Sequence, residues 1–130
     1  MEEKKDEKDF KELKEELSEL FEARKFLKIK EIITSMNEVD TAELLESIDE
    51  EMAVMIFRLI PKEQAAEVFA YMEHDLQESI ITTITDSELH NIINELFLDD
   101  TVDLLEEMPA NAVNRILKHT DSKTRQAINR

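Results

Sequence analysis

A twelve-residue repeat runs through most of this 130-residue chain. When the sequence is divided into frames of twelve residues starting at Asn37, seven full frames result. The ninth residue of the frame is apolar in all seven, and the twelfth residue is apolar in six of them. A repeat of this kind predicts a stack of similar structural units. The eighth place is aliphatic in every frame: Leu44, Ile56, Val68, Ile80, Ile92, Leu104, Ile116 and Ile128.

The apolar places lie three or four residues apart, the spacing that puts side chains on one face of a helix. One continuous helix cannot use this pattern, because twelve residues at about 100° each turn the apolar face by about 120° per frame. Each frame should therefore hold one helix of about eight to ten residues, too short to persist alone. The predicted fold class is all-α: a superhelix, or solenoid, of about ten short helices.

The breaks between helices are predicted from place 12 to place 4. Pro61 and Pro109 both occupy place 1, and proline suits the start of a helix but not its interior. No glycine is present, so no helix is expected to end in the left-handed conformation that glycine adopts most readily. Residue types that cap helix N-termini occur at place 1 (Asp49, Thr85, Asp121) and two or three residues later (Asp40, Asp75, Ser87, Asp99).

The extent of the repeat predicts how the chain is divided into domains. Fainter matches around Leu17 and Ile29 predict two further helices before the clear frames. Residues 1–10 are almost all charged and should form a frayed tail, whereas residues 11–130 should form a single superhelical domain. The last frame stops after ten residues and would leave Ile128 partly uncovered, so a fragment of a longer protein is expected.

The net charge of the chain limits the kinds of molecule that it can bind. The chain has 32 acidic and 16 basic residues, a net charge of -16, and only Arg58 and Lys62 are basic between Glu31 and Asn114. Such a surface attracts cations or basic partners and argues against nucleic acid. The longest apolar run, residues 52–57, is far too short to span a bilayer, and no signal-peptide pattern opens the chain, so a soluble chain is expected.

Enzyme chemistry has little support in the sequence. His74, His90 and His119 occupy different places of the repeat, and each is interpreted as a surface or helix-end residue. No glycine-rich phosphate loop, EF-hand loop or recognisable nucleophile motif is present. The chain is predicted not to be an enzyme.

The carboxylates of one frame are of more interest. Asp99 and Asp103 are four residues apart, on one helix face, and Asp100 adds a third charge near the helix start. Acids at a helix start favour capping and the macrodipole, which accounts for Asp99 and Asp100 but not for Asp103. Asp103 occupies place 7, which is also acidic at Glu67. Carboxylates four apart repel modestly, and Mg2+ can bind through one or two of them, although a solvated acidic face is the simpler interpretation. The other acids at place 7 are Glu31 and Glu43.

The segment ELFLDDTVDLLEEMPANAVNRIL, preceded by LIPKEQAAEVFAYM, resembles the N-terminal cytosolic domain of the MgtE family of magnesium channels. The similarity covers approximately residues 10–130. The resemblance implies a right-handed superhelix at the cytoplasmic face of the membrane. In the family, this domain is followed by CBS domains, a connecting helix and a dimeric transmembrane pore. In the family, Mg2+ bridges this domain to the CBS domains and holds the channel closed. The family's metal-binding carboxylates correspond to Glu67, Asp99 and Asp103, with Asp100 a weaker candidate.

Two functional hypotheses follow. The first is a regulatory Mg2+-sensing domain, with Mg2+ as a weak interfacial ligand, CBS domains and pore of the same chain as partners, and a homodimer as the full protein. The second is a protein-interaction scaffold without metal dependence, like the armadillo-like modules of the flagellar switch protein FliG. CBS domains encoded after Arg130 would favour the first hypothesis.

Overall fold

The computed structural model describes the backbone of residues 2–119 and the side chains of residues 10–119. All regular structure in this range is helical, which confirms the predicted all-α class. The predicted helix after residue 120 and the uncovered Ile128 lie outside the described residues. The helices are α1 (Glu2–Glu22), α2 (Phe26–Thr34), α3 (Glu38–Glu46), α4 (Glu50–Phe57), α5 (Lys62–Ala70), α6 (His74–Thr83), α7 (Asp86–Glu95), α8 (Leu98–Glu107) and α9 (Ala110–Lys118).

Helix lengths follow the repeat. Helices α2 to α9 have eight to ten residues each, as predicted, and α1 and α2 are the two additional helices expected before the clear frames. Helix α1 is longer, with 21 residues, and the backbone of residues 2–10 belongs to it. The fraying of that charged start stays a prediction.

Each helix from α3 to α9 begins at place 2 of its frame, and its N-cap is the residue at place 1. The N-caps predicted further along, at Asp40, Asp75, Ser87 and Asp99, are wrong, because these residues lie inside the first helical turn. The earlier start is favourable because a side chain at place 1 reaches the N–H three residues on. Asn37 accepts a hydrogen bond from the Asp40 N–H at 2.8 Å in this way. The N-caps are Asn37, Asp49, Pro61, Glu73, Thr85, Phe97 and Pro109.

One helix ends in the left-handed conformation, although none was expected to. Arg24 has φ 58° directly after α1. The Arg24 N–H donates to the Phe21 carbonyl at 3.0 Å, and the Lys25 N–H donates to the Leu20 carbonyl at 2.9 Å. These two bonds satisfy carbonyls at the end of α1 and offset a conformational cost of about 1–2 kcal/mol for a residue with a Cβ.

The helices pack in two rows. Helices α3, α5 and α7 lie side by side in one row, while α4 contacts α6 and α6 contacts α9. The stack buries place 8 as predicted, because each helix covers the apolar face of its neighbours, while places 9 and 12 are buried in some frames and half-buried in others. Place 8 is buried in every described frame: Leu44, Ile56, Val68, Ile80, Ile92, Leu104 and Ile116.

Arg115 joins α9 to the end of α6. Its guanidinium donates to the carbonyls of Ile81 and Ile84 and to Asp86 Oδ1, the last at 2.9 Å. The hydrogen bond from Arg115 lowers the pKa of Asp86 below its ordinary 3.8. Since this pKa is depressed on folding, its contribution to stability is present above the unfolded-state pKa and is lost as the pH falls through the folded-state value.

We expect Arg115→Ala to lower the free energy of unfolding by about 1–3 kcal/mol, because two carbonyls and one carboxylate lose their donor. Urea unfolding followed by far-UV circular dichroism measures this change. Lys118→Ala is the matched control, since it removes an exposed cation from the same helix. Equal effects of the two substitutions would show that Arg115 contributes only its charge.

Candidate functional site

Three of the four predicted metal-binding carboxylates line two adjoining clefts formed by residues of α5, α6, α7 and α8. The first, here called the aromatic cleft, has a volume of about 390 Å³. The second, the inner cleft, has a volume of about 150 Å³ and is shaped by buried apolar residues together with His74, Gln77, Asp100 and Asp103. The aromatic cleft is lined by Ala66, Glu67, Ala70, Tyr71, Glu95, Leu96, Phe97 and Asp100.

The tertiary structure brings some of the predicted residues together. Glu67, exposed on α5, shares the aromatic cleft with Asp100 of α8. Asp100 is half-buried and also lines the inner cleft, where it lies with Asp103. Glu67 and Asp103 are therefore in neighbouring clefts that share one carboxylate. Asp99 is exposed on α8 and is not among the residues that line either cleft.

Local structure accounts for two of these acids. Phe97 is the N-cap of α8, so Asp99 and Asp100 are the second and third residues of that helix and favour its macrodipole without capping it. Asp103 lies in the second turn, where this explanation fails. The side chains of Glu67, Asp100 and Asp103 make no hydrogen bond or ion pair with any other residue between 10 and 119. They are free to bind a ligand.

The carboxylates of the two clefts could supply only part of a magnesium coordination shell. Among the described residues, no three His, Asp or Glu side chains form a group able to hold a metal ion. Mg2+ commonly takes one or two protein carboxylates and keeps several waters. Glu67 with Asp100, or Asp100 with Asp103, supplies that number. The remaining ligands would come from water or from a partner surface.

Sequence reasoning did not single out two aromatic residues of the site. Tyr71 and Phe97 both line the aromatic cleft and are 59% and 78% exposed. The sequence did contain a signal for Phe97, since place 1 holds Asn, Asp, Pro, Glu or Thr in the other frames. His74 is exposed and is the first residue of α6, which confirms its interpretation as a helix-end residue.

Sequence comparison identifies the family. The family described as the MgtE intracellular N domain matches residues 36–130. The chain belongs to the MgtE intracellular N-domain family. The matched segment of the chain contains both clefts, and the match confirms the family resemblance of the sequence. No curated protein matches the chain.

Solved structures agree with this assignment. The chain superposes with a TM-score of 0.74 and 26% identity on a crystal structure of "the cytosolic domain of the Mg2+ channel MgtE in complex with ATP", over 87% of this chain and 47% of that one. It superposes with a TM-score of 0.76 on "the soluble part of a magnesium transporter", over 92% of this chain and 48% of that one. At 17% identity, the second comparison shows the fold alone. The chain spans about half the length of either structure.

The described part of this MgtE N domain has no helix with the length and apolar character needed to cross a bilayer.

Proposed function

We propose that this chain is the cytosolic regulatory domain with which a magnesium channel or transporter senses Mg2+. The main observation in support of this proposal is that the chain belongs to the MgtE intracellular N-domain family, over a segment that contains both clefts. In this proposal Mg2+ bridges the domain to CBS domains of the same longer polypeptide and favours the closed pore. The role is regulatory and not catalytic, at the cytoplasmic face of the membrane, within a full protein that is a homodimer.

The electrostatics of the site support a bridging ion. Among residues 10–119, no Lys or Arg lines either cleft, and the chain as a whole has a net charge of -16. A second acidic surface would be repelled from such a site unless a cation lay between them. An ion that binds the docked arrangement better than the separated one shifts the equilibrium by that difference in affinity. Loss of Mg2+ would then release the domain.

Each candidate ligand has a distinct position in this proposal. Glu67 would bind an ion from the aromatic cleft and Asp103 from the inner cleft. Asp100 borders both, and its placement supports a larger role than its position near a helix start implies. Asp99 would bind an ion only from the exposed face of α8.

The test is a Mg2+ titration of the longer protein, read by limited proteolysis between this domain and the CBS domains. We expect protection to rise with Mg2+, because the bridged arrangement covers the linker. The chain by itself should bind Mg2+ with a Kd above about 10⁻⁴ M in calorimetry, since it supplies only part of the coordination shell. Protection that is independent of Mg2+ would favour a metal-independent scaffold, and tight binding by the isolated chain would contradict a shared site.

A further inference from the structure

Phe97 departs from the repeat in a way that the fold does not explain. It is the N-cap of α8 and forms no capping hydrogen bond, as is also true of three other N-caps of the repeat. It differs from all of them in being aromatic, whereas place 1 holds Asn, Asp, Pro, Glu or Thr in the other frames. It is also 78% exposed, so it contributes little to the core. A capping residue at this position would serve the helix better. The aromatic ring therefore calls for a role outside the fold.

Tyr71 shares this character and this location. It is the C-cap residue of α5, is 59% exposed and lines the same cleft as Phe97. Its hydroxyl makes no hydrogen bond among residues 10–119. Single exposed apolar residues are common on protein surfaces, but two large aromatic side chains in one concavity mark a binding surface.

The charges of the cleft select the kind of occupant. Glu67, Glu95 and Asp100 line it together with the two rings, and no Lys or Arg from the described part of the chain does so. Aromatic faces and carboxylates both attract cations, and the net charge of -16 acts in the same direction. Mg2+ would use the carboxylates but not the rings, because it binds oxygen ligands and retains its waters. A guanidinium uses both, since it stacks on aromatic faces and donates to carboxylates in a fork.

We propose that the aromatic cleft binds an arginine side chain, stacked between Tyr71 and Phe97 and hydrogen-bonded to the carboxylates of the cleft. The arginine would come from the part of the longer polypeptide that this chain lacks, and in this respect the inference rests on the proposed function. The chain spans about half of the similar cytosolic structures, so a comparable length of polypeptide is available to cover the cleft. Such a contact needs no Mg2+, but a single arginine is not expected to hold the two domains docked once the bridging ion is lost.

The chain offers a direct probe of this contact. Tyr71 is its single tyrosine and no tryptophan is present, so intrinsic fluorescence reports on the aromatic cleft alone. The experiment titrates the chain, in EDTA, with a capped peptide that carries one arginine between alanines. The control peptide has citrulline at that position, which keeps the shape but lacks the charge. We expect a saturable change in Tyr71 emission with the arginine peptide and none with the citrulline peptide.

Phe97→Ser separates binding from folding, because it removes the ring and places a good N-cap residue at the start of α8. We expect its affinity for the arginine peptide to fall at least about fivefold, with an unchanged far-UV spectrum. Leu27→Ser is the matched control, since Leu27 is 81% exposed on α2 and does not line the cleft. Glu95→Gln, which keeps both rings and the predicted metal ligands, should also weaken binding.

Equal binding of the citrulline peptide, or wild-type affinity in a folded Phe97→Ser variant, would overturn the inference. These measurements contain no Mg2+, so they are independent of the proteolysis test of the proposed function. Failure of the arginine peptide with intact Mg2+-dependent protection removes only the cleft assignment. Loss of Mg2+-dependent protection with intact arginine binding removes only the sensing role.

Discussion

Replacing Glu67 and Asp103 together, as Glu67→Gln/Asp103→Asn in the longer protein, should raise the Mg2+ concentration for half-maximal protease protection about tenfold or more. The two carboxylates lie in neighbouring clefts and have no partner among the described residues, so interfacial ions would lose one candidate ligand in each cleft, with Asp100 left in place. Amides keep the size of the side chains but give Mg2+ a weaker ligand. Addition of Asp99→Asn should raise this concentration further if Asp99 binds an ion from the exposed face.

A matched control exists within the repeat. Glu31→Gln/Glu43→Gln removes the same charge from the same place 7 of other frames, on α2 and α3. Neither residue lines the aromatic or the inner cleft. This control should leave the Mg2+ midpoint close to that of the parent protein. If both double variants shift the midpoint equally, the effect belongs to the overall charge, and the assignment of Glu67 and Asp103 as ligands fails.

Phe69→Ala should lower the free energy of unfolding by about 3–5 kcal/mol. Phe69 is 1% exposed on α5, and its ring centroid lies 6.2 Å from that of Phe57 on α4. The truncation removes buried apolar area and leaves a cavity between the two rows of helices. A loss of this size is a large part of the total stability of about 5–15 kcal/mol that is typical of a domain. Urea denaturation followed by circular dichroism measures it.

The control for this prediction is the same chemical change at an exposed site. Phe97→Ala truncates a phenylalanine that is 78% exposed and forms no capping bond. Its effect on the unfolding free energy should stay within about 0.5 kcal/mol. A similar cost at both positions would mean that the cleft side of α8 is covered in solution, which would contradict the exposed aromatic cleft.

The helices and their buried faces could be predicted because the spacing of apolar residues within each repeat defines one helix and one buried face. Place 8 must be apolar to cover its neighbours, and the structure buries it in every described frame, from Leu44 to Ile116. The exact starts of the helices could not be predicted, since capping residue types occur at several places of the frame. The prediction chose Asp99 as a possible N-cap, but α8 starts after Phe97. Composition does not reveal which of two competing first turns satisfies more N–H groups.

The left-handed end of α1 was missed for a related reason. The absence of glycine predicts only that a left-handed residue will be costly on average. Arg24 adopts the left-handed conformation because two backbone hydrogen bonds form there and offset the cost. The same turn lets α1 and α2 pack together, with the ring of Phe21 on α1 and the ring of Phe26 on α2 edge to face at 6.1 Å. That geometry is a property of the packed pair of helices.

By itself, the sequence determined an anionic stack of short helices and the acids that packing and capping leave unexplained, because both follow from spacing along the chain. Only the tertiary structure decided which acids share a cleft. Glu67 and Asp100 line one cleft because α5 packs against α7 and α8 follows α7 directly, whereas Asp99, next to Asp100 in sequence, lines neither cleft. Neighbours in the stack are set by the angle between successive helices, and that angle depends on side-chain packing across rows.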